Sequence, residues 1–164
     1  MFLGLLSDFD SGITQGGTYG EIDGLPTATL YRFELDQAFS GGSLVATFNA
    51  SPDNGTTFYE HVVVTKFKKL SAQDNENFQN IVASQLVAFV LTNNDEIMMV
   101  GLKNGADITA GDLNTGLAMG DMSGYNITIT AREPELPKYL EAYTSEPFDN
   151  FAGITVSPAY PTGS

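Results

Sequence analysis

Two hydrophobic periods divide this chain. Thr29, Tyr31, Phe33 and Leu35 alternate with Leu30, Arg32 and Glu34, the period of two that a half-buried strand requires. A second strand is predicted over residues 44–48. The Pro52-Asp53-Asn54-Gly55 turn follows, where Asn and Gly tolerate the positive φ of a tight hairpin, and it returns the chain through a long strand over 57–67. The period then changes. Phe78, Ile81 and Val82 fall at i, i+3 and i+4, behind Ser71 as N-cap and with Asp74 and Glu76 in the first turns, and so predict one helix near 72–84. Residues 86–91 are an unbroken apolar run, as in a strand covered on both faces, and Thr92-Asn93-Asn94-Asp95 turns it back into a strand over 97–100. Tyr125, Ile127 and Ile129 alternate with Asn126, Thr128 and Thr130 in a last core strand, ended by Pro134 and Pro137.

This order predicts a mainly β fold: an antiparallel β-sandwich or barrel of about six strands with one flanking α-helix. The strands and helix occupy residues 27–134. Residues 1–26, rich in Gly and Asp, and residues 135–164, punctuated by Pro, are expected to be extended arms that order on neighbours. Between the last two strands lies a glycine-studded stretch, 103–124. It is longer than the ~12–15 residues that ordinary loops reach, and it reads as a long loop with a working role.

Composition narrows that role. With 42% hydrophobic residues the chain can bury a real core, and the 16% charged fraction leaves a surface of Ser, Thr, Asn, Gln and Gly. Twenty carboxylates against seven Lys and Arg give a net charge of −13, so there is no basic stripe to replace counterions around nucleic acid. Such a chain could instead line a passage through which DNA slips without sticking. Absence of cysteine removes disulfides, thiol catalysis and thiolate metal sites. The lone His61 sits mid-strand with no partner pattern for a triad, and no carboxylate spacing matches a Ca²⁺ loop. No catalytic residue, cofactor or metal ligand is expected, and the chain is not read as an enzyme. The apolar opening, residues 1–6, is too short for a signal peptide or membrane span.

The residues Val100-Gly101-Leu102-Lys103-Asn104-Gly105, Gly116-Leu117-Ala118-Met119-Gly120-Asp121-Met122-Ser123-Gly124-Tyr125 and Ile127-Thr128-Ile129-Thr130-Ala131-Arg132-Glu133-Pro134 resemble a structural protein of tailed bacteriophages, the tail-tube or tail-tube-like family. The resemblance spans roughly residues 43–134. It implies a virion subunit, assembled in the host cytoplasm, that forms homo-oligomeric hexameric rings. These stack around an acidic channel for DNA ejection, with other tail or neck proteins as further partners. The long loop would reach to adjacent subunits, with Lys103, Asn104, Gly105, Gly111, Gly116, Gly120, Asp121 and Gly124 as its contact residues. Two alternatives stay open: another virion component, such as a neck or connector ring, tail hub or capsid decoration protein, and a soluble β-sandwich binding module. The second would require a compact aromatic patch, for which Tyr19, Tyr139 and Tyr143 are candidates.

Overall fold

The computed structural model describes residues 1–35, 41–51, 53, 55–68, 72–114 and 124–157. In chain order the elements are β1 (Phe2–Leu5), β2 (Thr14–Gln15), β3 (Ile22–Gly24), β4 (Ala28–Arg32), β5 (Gly42–Ser51), β6 (Thr56–Lys68), α1 (Ala72–Val82), β7 (Leu86–Leu91), β8 (Ile97–Val100), β9 (Ala106–Asn114), β10 (Gly124–Glu133), β11 (Lys138–Tyr139) and β12 (Ile154–Ser157). The main sheet runs β12-β4-β1-β7-β9-β10-β6-β5, with β8 pairing β7 and β11 pairing β8; β2 and β3 form a small separate ribbon. Pairing is antiparallel except that β12 runs parallel to β4, so the fold is mainly β with a mixed sheet.

The main sheet divides into two halves. Strands β12, β4, β1, β7, β8 and β11 form one, and β9, β10, β6 and β5 the other. Between them the strand pairing reduces to Leu86 with Ala106, plus a bridge between Leu35 and Phe67. The first half is covered on both faces, as the unbroken apolar run predicted. Leu86, Ala88 and Val90 of β7 point into one hydrophobic cluster, and Val87, Phe89 and Leu91 into another. The first cluster is shared with Val63, Phe67, Ile127, Ile129 and Ala131 of the second half. The other is capped by Phe9, Ile22, Leu140, Phe148 and Phe151. Phe148 meets Phe2 and Phe89 edge-on, with ring centroids 5.0 and 5.3 Å away. Such geometry adds to the roughly 1.5–3 kcal/mol that burying each large apolar side chain contributes.

The helix spans 72–82 rather than 72–84, and its expected cap Ser71 lies outside the described residues. Phe78 joins it to the core, tilted on Tyr125 at 5.0 Å and edge-on to Phe33 at 6.4 Å. The Tyr125 hydroxyl donates to Asn75.

Three expectations are overturned. Residues 1–26 are no extended arm, because β1 is a central strand between β4 and β7, with Phe2 and Leu3 buried. Nor are residues 135–157: they supply β11, β12 and the Leu140, Phe148 and Phe151 side chains that cover the sheet. The physical reason is the apolar content of β7, β8 and β1, which have two faces to cover and only one α-helix among the described residues to help. Finally, 103–124 is not one loop, since its first half contains the nine-residue strand β9, paired along β10.

Candidate functional site

The β9-β10-β6-β5 half stands out because both of its side edges lie open. On its inner side β5 pairs β6 through ten residues, from Gly42–Thr65 to Ser51–Thr56, yet no strand among the described residues pairs its outer edge. β9 pairs β10, and on its other edge only Ala106 is taken among the described residues, by Leu86. Edge strands normally carry Lys, Pro or a short length to block unwanted pairing. The β5 sequence, GSLVATFNAS, contains no charge and no proline. It also leaves Val45 and Phe48 exposed, at 53% and 71%.

The outer face of this half follows from register. Ser43, Val45, Thr47 and Asn49 of β5 lie opposite Val64, Val62, Glu60 and Phe58 of β6. Val64, Val62, Glu60 and Lys66 in turn lie opposite Thr128, Thr130, Arg132 and Asn126 of β10. β9 adds Asp107, Thr109 and Asp112, of which Thr109 hydrogen-bonds the Thr130 hydroxyl at 3.0 Å and Asp112 accepts from Asn126 at 3.0 Å. Seven of these sixteen side chains carry a hydroxyl or an amide, five are charged and four are apolar. Three carboxylates face two cations, and Arg132 is already paired with Glu60 at 3.2 Å. Most of the chain's acidity lies elsewhere.

The contact residues expected from sequence are not brought together. Lys103, Asn104 and Gly105 form the turn between β8 and β9, which is clamped to its own chain. The Glu133 carboxylate, 3% exposed, accepts from the Lys103 amide at 3.1 Å and the Asn104 amide at 2.9 Å. Lys103 Nζ reaches Glu135 at 2.8 Å, and Asn104 Nδ2 donates to the Arg132 carbonyl at 2.7 Å. Burial pushes the Glu133 carboxyl above its usual range, partly offset by these amide donors. Gly105 has φ +78° and would place a Cβ 2.8 Å from Leu6. Within the chain this glycine serves the turn. Gly111 sits in β9 opposite Ile127, and Gly124 opens β10, opposite Asn114 and Lys68. Gly116, Gly120 and Asp121 lie outside the described residues.

Two concave regions were not legible in the sequence. A groove of about 960 Å³ opens between β5 and the β7–β8 hairpin, lined by Leu44, Ala46, Val63, Val90 and Met98, with Leu136 and Tyr139 at its end. Thr65 lines it too; its hydroxyl is buried and has no hydrogen-bond partner among the described residues. His61 is equally buried, 1% exposed, and burial lowers its pKa. The Glu135 main chain lies near the ring and favours the protonated form, but neither nitrogen has a partner of hydrogen-bond geometry. The second region, a cleft of about 490 Å³, gathers Tyr19, Tyr139 and Tyr143 with Glu21, Asp95, Glu96 and Glu141. Among the described residues no group of three or more His, Asp or Glu is arranged to hold a metal ion.

No family model, no curated protein and no solved structure matches this chain.

Proposed function

We propose that this protein is a virion structural subunit of the tail-tube kind, forming homo-oligomeric rings around a DNA channel. The observation that carries the reading is the four-stranded half with two open edges. Strand directions alternate across β9, β10, β6 and β5, so an even number of strands separates the two edges. A copy rotated about an axis along the strands brings its β9 beside β5 of the first, again antiparallel. Such head-to-tail contact is heterologous, and heterologous contacts form rings when the rotation between copies closes and open filaments when it does not. Six copies would contribute 24 strands. At about 4.8 Å per strand these make a wall roughly 37 Å across between backbones, room for a duplex after side chains are subtracted. The wall would present the hydroxyl- and amide-rich outer face, mildly acidic and without a basic stripe. In each copy the two halves would be the layers of an open β-sandwich, with α1 on its flank. Other virion ring positions, at the neck or tail hub, use the same geometry.

Mass measurement and negative-stain electron microscopy of the purified protein test this reading. Rings or tubes with a hole of duplex width are expected; a monomer at all concentrations and salt conditions would end it.

One observation favours a second reading, a ligand-binding module. Tyr19, Tyr139 and Tyr143, the aromatic patch that such a module requires, do converge on one cleft. Binding of neutral oligosaccharides, lost on Tyr139→Ala and Tyr143→Ala, would support it over the ring.

A further inference from the structure

We infer that the groove beside β5 is filled by the neighbouring copy, through the apolar margin that flanks its β9 edge. This rests on the ring reading above and names the surfaces that seal each joint.

The sheet face decides which side chains can meet. Leu44 and Ala46 of β5 lie opposite Val63 and His61 of β6, on the inner face toward the core. On β9, Ile108 and Leu113 lie opposite Ile129 and Tyr125, on that same inner face, and α1 packs there through Phe78. When β9 of one copy pairs with β5 of the next, the two inner faces become continuous. The β9 margin then lies against the mouth of the β5 groove.

Both sides are apolar and incompletely covered in one copy. At the β9 margin Val82 and Leu113 are 45% and 60% exposed, beside a hollow of about 320 Å³ floored by Gly111 and Ile127. At the β5 margin Leu44, Ala46, Val63, Val90 and Met98 line the groove, with Ser43, Thr92 and Asn93 among them, and the buried Thr65 hydroxyl lacks a partner among the described residues, an arrangement native interiors rarely leave. Gly42 keeps that hydroxyl's surroundings open: a Cβ there would stand 3.2 Å from the Thr65 methyl and 3.0 Å from the Val64 carbonyl. An exposed apolar margin on one open edge and an unfilled apolar groove on the other are complementary parts of a single joint.

The chain contains no cysteine, so engineered pairs report without background. Ala46→Cys is combined in one chain with Leu113→Cys or with Ile108→Cys, and the protein is oxidised mildly. Non-reducing gels are expected to show a ladder of covalent multimers for at least one double variant and none for the single variants. In parallel, Leu113→Asp, at an exposed position, is expected to keep the thermal transition of the parent while raising the concentration at which rings dissociate by at least tenfold. Rings of parental mass that give no ladder and tolerate Leu113→Asp would overturn this inference while sparing the ring reading. Cross-linking by Ala46→Cys alone would mean two-fold β5–β5 pairing and would overturn it too. A parent protein that is monomeric throughout would remove both.

Discussion

The two halves of the sheet use similar residues to opposite ends. β7 is Leu-Val-Ala-Phe-Val-Leu, buried on both sides by side chains from the same chain. β5 is equally uncharged, yet it is exposed along most of its length and carries an edge that no other strand among the described residues pairs. The lesson is that apolar composition does not define the interior of an isolated chain. On the ring reading proposed above it would define the interior of the assembly, and the difference between β7 and β5 would mark where one subunit stops being sufficient.

That comparison can be broken most sharply by truncating its best-buried member. Phe89→Ala removes a ring packed on Phe9 and Phe148 and should cost about 3–5 kcal/mol in urea unfolding. Val45→Thr on β5 should stay within about 0.5 kcal/mol for the isolated subunit. Equal losses at the two sites would show that β5 is as much a part of the monomer's core as β7.

The joint between the halves gives the next largest effect. Glu133→Ala leaves the Lys103 and Asn104 amides without their acceptor and should cost about 1–3 kcal/mol, read by the same unfolding curves. Gly105→Ala, in the same turn, should cost about 1 kcal/mol or more, because φ +78° and the close approach to Leu6 both penalise a Cβ. A neutral result at either position would mean that the turn is not what locks β9 to β8.

The smallest expected effect is a pH dependence. The folded pKa of Glu133 is raised above its ordinary 4.5 by burial, so the folded state holds the proton more tightly than the unfolded chain. Its favourable contribution is complete below 4.5 and is lost as pH rises through the folded value. The parent should therefore lose stability relative to Glu133→Gln as pH climbs above 4.5, in paired melts across that window. The opposite slope would mean that the amide donors outweigh burial.

Much of the strand pattern was legible because it is local. The alternation of Tyr125, Ile127 and Ile129, the apolar run of β7 and the hairpin joining β5 to β6 each follow from the period of side chains along one segment. β9 was missed for a local reason as well. Ala106-Asp-Ile-Thr-Ala-Gly-Asp-Leu-Asn114 mixes small, polar and glycine residues, and a bulge near Ile129 breaks its alternation against β10. Nor did the stretch announce that Lys103 and Asn104 are held by a glutamate about thirty residues away.

By itself the sequence determined that this chain would be mainly β, acidic, built around one helix and without thiol chemistry, since composition and short-range period settle such properties. Tertiary structure alone decided that residues 1–26 and 135–157 contribute to the core and that, among the described residues, no strand pairs the outer edge of β5 and only Leu86 pairs the free edge of β9. The reason is that burial depends on which distant segments arrive to cover a face. A hydrophobic strand reads the same in sequence whether its cover comes from its own chain or from another.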